Sequence, residues 1–158
     1  MRPLPCLLLG AALLSACASA PAPAVSTSAL PFTVAYDHTA LHVADLGRSV
    51  AFYERVFGLA EIPAPGDPTV IRWLSLGGDD QLHLIAYDGR VPPTTKAVHF
   101  AVVVSDLAAV VAHVDELGVP YSDWPGARSV LSLRGDGVQQ IYVQDPDGYW
   151  IEVNDARY

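Results

Sequence analysis

Residues 37–46 read "DHTALHVADL" and residues 98–107 read "VHFAVVVSDL". Setting His38 on His99 brings Val43 onto Val104, Asp45 onto Asp106 and Leu46 onto Leu107 without a gap. Each stretch reads as a β-strand that ends in an Asp at a helix N-cap position. An amphipathic helix follows in both copies, marked by Leu46, Val50, Tyr53 and Phe57 in the first and by Leu107, Val110, Val111, Val114 and Leu117 in the second. Gly58 and Gly118 stand where each helix should stop. Three strand-like runs come next in each copy: near 59–62, 69–76 and 81–87, then near 119–124 with a continuation around 129–133, 138–144 and 149–153. The chain is therefore a repeat of β-α-β-β-β, with modules at about 34–88 and 96–155 joined by "DGRVPPTT" (88–95). One such unit is too small to bury both faces of its own sheet. The predicted class is α+β, two paired modules forming a curved mixed sheet around a central cavity.

Matched positions of the repeat carry matched chemistry. His38 and His99 open the first strands, while His83 and Glu152 stand in the last strands, "QLHLIAY" (81–87) and "YWIEV" (149–153). A lone strand His is ordinarily a hydrogen-bonded structural residue. Four equivalent positions that all hold metal-competent side chains read differently, in a chain with five His in all. Three imidazoles and a carboxylate suit one divalent ion, Zn, Ni, Co, Fe or Mn. Glu152 shares a strand face with Trp150, opposite Ile151 and Val153, so it must be solvated, paired or bound to something. His42 falls on the face of His38 by strand parity and is a candidate substrate contact. His113, in the second helix, reads as a surface residue. The strand aromatics Trp73, Tyr87, Tyr142 and Trp150 could shape an apolar pocket, but strand aromatics are more often core, and they are read as core.

The 158 residues fit one domain, spanning 32–158. The formal net charge of −8 and the lack of any basic cluster exclude nucleic-acid binding through phosphate neutralisation. The first 17 residues, "MRPLPCLLLGAALLSAC", read as a signal peptide too short to span a bilayer. They end in Leu14-Ser15-Ala16-Cys17, similar to the bacterial lipobox, whose Cys becomes the lipidated first residue. Ordinary cleavage after Ala18-Ser19-Ala20 is the alternative. Residues 18–31 read as a tether of Ala, Pro and Ser. The expected location is the outer membrane, facing the periplasm through a lipid anchor, or otherwise the soluble periplasm or the exterior.

The two modules resemble the vicinal oxygen chelate superfamily, which includes glyoxalase I, epimerases, thiol transferases, extradiol dioxygenases and bleomycin-binding proteins. The resemblance covers about residues 36–155. It rests on "DHTALHVADLGRSVAFYERVFGL" (37–59) and "DPDGYWIEV" (145–153). It implies a metal site at His38, His83, His99 and Glu152, with Glu152 also moving a proton. It implies a lyase or isomerase similar to lactoylglutathione lyase, acting on a small oxygen-chelating molecule. An Fe(II) extradiol-type dioxygenase and a non-catalytic binding module are the alternatives. Two departures stand out. Bacterial glyoxalase I places a Glu where His83 stands, and an Arg that helps hold glutathione where His42 stands. Some members build the site from two chains, so the modules pair either within one chain or across a homodimer.

Overall fold

Strand β1 (His38–Val43) alternates as a half-buried strand does: Leu41 and Val43 are buried, whereas His38, Ala40 and His42 are exposed. The structure is a computed structural model that describes residues 31–89 and 95–157. The predicted leader, Cys17 and the tether to residue 30 lie outside the described residues, as do residues 90–94 of the linker. The unit Ala35–Tyr158 holds all the described helices and strands.

After β1, the Asp45 carboxylate accepts from the backbone N of Arg48 at 2.9 Å and starts helix α1 (Leu46–Phe57). Gly58 ends it at φ 65°, a left-handed conformation that glycine adopts without a Cβ clash. Strands β2 (Glu61–Ile62), β3 (Ile71–Gly77) and β4 (Asp80–Ala86) complete the first copy. The second copy runs β5 (His99–Val103), α2 (Leu107–Glu116), β6 (Tyr121–Ser122), β7 (Ser132–Leu133), β8 (Gln139–Gln144) and β9 (Trp150–Asn154). Asp106 caps α2 as Asp45 caps α1, accepting from Ala109 N at 2.9 Å.

The α+β class holds and the element order repeats, with β7 as an additional short strand in the second copy and with two sheets in place of one curved sheet. Each copy forms a mixed sheet of its own, ordered β1-β4-β3-β2 and β5-β9-β8-β6, with β7 also paired to β8. In each, the first strand runs parallel to the last and lies at the sheet edge. Val50, Tyr53 and Val56 of α1, Leu107 and Val114 of α2, and the inward residues of both sheets join in one buried apolar cluster. Each such side chain contributes about 1.5–3 kcal/mol by leaving water.

The turn Asp145-Pro146-Asp147-Gly148 locks the copies together. Asp147 Oδ1 accepts from Ala44 N at 3.1 Å and from Arg48 Nη2 at 2.8 Å, while Oδ2 accepts from Ser49 Oγ at 2.9 Å. Asp145 accepts the Tyr53 hydroxyl at 2.9 Å in the core and also receives the backbone N of Asp147 and of Tyr149. Half of the "DPDGYWIEV" pattern thus does structural work. His113, read as surface, is exposed, yet its Nε2 donates to Arg55 O at 2.9 Å and ties α2 to α1.

Candidate metal half-sites on two sheet faces

Strand register decides which side chains meet. In the first sheet His38 pairs with Gln81, Ala40 with His83, and His83 with Trp73. In the second, His99 pairs with Trp150, Ala101 with Glu152, and Glu152 with Tyr142. His83 and Glu152 therefore occupy equivalent places, each across from the Ala two residues past the opening His. Trp73 and Tyr142 are a second equivalent pair. All of these stand on the sheet face turned away from the helices.

On the first face three rings stack. Trp73 and His83 lie 4.1 Å apart between ring centroids, as do His83 and His38. His38 Nδ1 donates to Asp37 Oδ2 at 2.5 Å, so Nε2 is the ring nitrogen not engaged in that bond. His83 Nε2 bonds Gln81 Oε1 at 2.8 Å, and burial, with His38 close by, pulls its pKa below the ordinary histidine value. His42 shares the face and stacks on Tyr87 at 4.7 Å.

On the second face Glu152 is buried, with a carboxylate engaged at both oxygens. Oε2 accepts the Tyr142 hydroxyl at 2.7 Å and lies 3.3 Å from His99 Nε2. Oε1 accepts Asn154 Nδ2 at 2.8 Å and lies 3.5 Å from Arg134 Nη1. Gln140 Nε2 in turn donates to Tyr142 Oη at 2.7 Å. Burial first, and the bond to Glu152 second, raise the Tyr142 pKa far above that of a free phenol, so it remains a donor. His99 Nδ1 donates to Lys96 O at 2.8 Å, again leaving Nε2 for a ligand.

The four predicted ligands thus come as two pairs, His38 with His83 and His99 with Glu152. Among the described residues, no three or more His, Cys, Asp or Glu side chains gather into one metal-holding group. The donor types nevertheless fit a borderline divalent ion. Both faces also hold a buried polar atom without a hydrogen-bond partner among the described residues, Trp73 Nε1 on one and Gln140 Oε1 on the other. Such orphans are costly unless something else reaches them.

Tyr142, Asn154, Gln140 and Arg134 escaped sequence reasoning. Tyr142 and Trp73 read as core because strand aromatics usually are, although the period of two puts Tyr142 on the strand face opposite Ile141 and Val143. Beside the second pair lies a cleft of about 420 Å³ lined by Lys96, Tyr121, Ser122, Arg128, Tyr142 and Trp150, among others.

The model of the Glyoxalase/Bleomycin resistance protein/Dioxygenase superfamily matches residues 35–153. The chain belongs to that superfamily. It is 29% identical to the uncharacterized protein YwbC of Bacillus subtilis, over 73% of this chain and 93% of that one. It is 26% identical to the lactoylglutathione lyase of Salmonella typhimurium, over 76% of this chain and 91% of the enzyme. Among solved structures, oxidase ChaP-H2 shares the fold with a TM-score of 0.67 at 24% identity, over 80% of this chain and 97% of that one.

Proposed function

We propose that the protein is a divalent-metal-dependent lyase or isomerase of the glyoxalase and epimerase type, acting on a small substrate that chelates through two oxygens. In this reading it works as a homodimer, with His38 and His83 of one copy facing His99 and Glu152 of the other. The observation that carries it is the pair of half-sites at equivalent register on two open sheet faces, each short of a full ligand set. Members of this superfamily commonly bind a divalent metal and small-molecule substrates, and many are dimers.

A divalent ion held by His38, His83, His99 and Glu152 would supply positive charge to offset negative charge developing on the substrate. The chain's own residues supply the rest. The Asp37 carboxylate and the Lys96 carbonyl hold the two opening histidines through Nδ1, and His99 Nε2 then faces Glu152 Oε2. The Tyr142 hydroxyl and the Asn154 amide stop the Glu152 carboxylate from rotating, so a proton taken from substrate arrives at Oε2 in a fixed geometry.

Two inactive variants, His38→Ala/His83→Ala and His99→Ala/Glu152→Ala, test the arrangement. Mixed after unfolding and refolding together, they should regain Co²⁺ binding, because each heterodimer then has one intact site. Failure of the mixture where wild type binds Co²⁺ would place the site within one chain. A wild type that binds none of the five metals, and does not isomerise the methylglyoxal–glutathione hemithioacetal, overturns the enzyme reading in favour of a binding module. From the leader alone we also propose export and a lipid anchor at Cys17. Intact-mass measurement tests this, and an unmodified N-terminus at Pro21 overturns it.

A further inference from the structure

The cleft beside the second half-site is charged in a way that selects its ligand. Among the described residues its lining carries two cations, Lys96 and Arg128, and no acid. That stands out in a chain of net charge −8. Arg48 and Arg72 are paired with Asp147 and Glu61, and Arg134 with Asp136 and Glu152. Neither Lys96 nor Arg128 has a carboxylate within 4.0 Å among the described residues. The acid near Lys96 is Asp123, whose Oδ1 accepts from Gly126 N and Ala127 N.

The two cations play different parts. Lys96 Nζ already donates to Ser122 Oγ, Asp123 O and Trp124 O, and sits 4.7 Å from the Trp150 ring centroid and 5.3 Å from that of Tyr142. It contributes charge, with its N–H groups spent. The Arg128 fork is available for direct bonds, and a planar guanidinium pairs two N–H groups with a planar carboxylate. Pro120, Tyr121, Tyr142 and Trp150 supply an apolar wall, and the volume lies in the usual range for small-molecule sites. The equivalent face of the first sheet offers no second cation among the described strand residues. His38, Ala40, His42, Gln81, His83 and Trp73 occupy it by register, without Lys or Arg.

We propose that this cleft seats one carboxylate of a small, flat, apolar-bodied organic anion, with Arg128 as its direct partner. A tripeptide thiol with two carboxylates and an ammonium does not match one available fork. That the seated anion is the substrate rests on the enzyme reading above. The seat itself does not.

Calorimetric titration of the full, chelator-treated chain with 2-naphthoate, a monocarboxylate without chelating vicinal oxygens, is the test. Saturable binding of one naphthoate per chain is expected, with 2-naphthamide at least tenfold weaker. Arg128→Met should weaken naphthoate about tenfold and leave the amide unchanged, and Arg128 is exposed, so folding should survive. Inorganic phosphate and glutathione should fail to displace naphthoate. Equal binding of acid and amide, no effect of Arg128→Met, no saturable binding, or displacement by glutathione overturns the proposal. A chain that binds no metal but keeps Arg128-dependent naphthoate binding removes the enzyme reading and leaves the seat standing.

Discussion

Glu152 is a carboxylate that a core strand carries because each of its oxygens has partners. Removing one of those partners tests how much the arrangement contributes. Tyr142→Phe keeps the ring but deletes the donor to Oε2 and strands Gln140 Nε2. The expected loss is about 1–3 kcal/mol, since a buried charge-assisted bond goes and a polar group is left unpaired. Urea denaturation measures it, and an unchanged midpoint would mean that water replaces the phenol freely. The same variant should bind Co²⁺ about tenfold more weakly, because partners that orient a ligand set its affinity.

At the scale of elements, the 145–148 turn acts as a buckle between the copies. Asp147→Ala removes three hydrogen bonds to Ala44, Arg48 and Ser49 at once. A destabilisation of about 2–4 kcal/mol is expected at roughly 1 kcal/mol per bond, more where charge is involved. Asp106→Ala, which takes only a helix cap, should cost about 1 kcal/mol. Chemical denaturation of the two variants side by side checks the ranking. Asp145 adds a pH dependence. Burial raises its pKa above that of a free aspartate, against the opposing pull of the N–H groups of Tyr149 and Asp147 and the Tyr53 hydroxyl. The folded chain then keeps a proton on Asp145 at pH values where the unfolded chain has released it. Its contribution to stability is therefore full below the ordinary aspartate range and declines as pH rises through the folded value. The stability of wild type minus that of Asp145→Asn, followed upward from about pH 3.5, should fall. A flat difference would show that its hydrogen-bond donors offset burial completely.

At the scale of the molecule, the dimer reading joins the two half-sites across an interface, so that metal binding and association would form one equilibrium. Under the dimer reading, metal held at one hundred times its dissociation constant adds about 2.7 kcal/mol to apparent stability. The melting temperature should then rise with chain concentration, and chelator should abolish the increment. A melting temperature insensitive to metal would argue that the half-sites never close. The edge strands β1 and β5 and exposed apolar residues such as Val98 and Val103 leave surface for such a contact.

The repeat, the two N-cap aspartates, the glycine stops and the α+β class were all legible in the sequence, because each follows from local periodicity and backbone chemistry. So was the choice of His38, His83, His99 and Glu152 as equivalent positions, since equivalence within a repeat needs no coordinates. The carboxylate of Glu152 had three fates open from the strand pattern alone. Only the tertiary structure shows it paired, because Tyr142, His99 and Arg134 reach it from three other segments, joined by Asn154 from its own strand. The second use of the DPDG turn was equally hidden. Asp145 and Asp147 look like ordinary turn formers until α1, some hundred residues earlier in the chain, packs beside them. The split of the four ligands into two pairs is likewise a matter of packing. Strand register sets the face each side chain shares, whereas the meeting of two faces depends on how whole sheets pack, which no local pattern encodes.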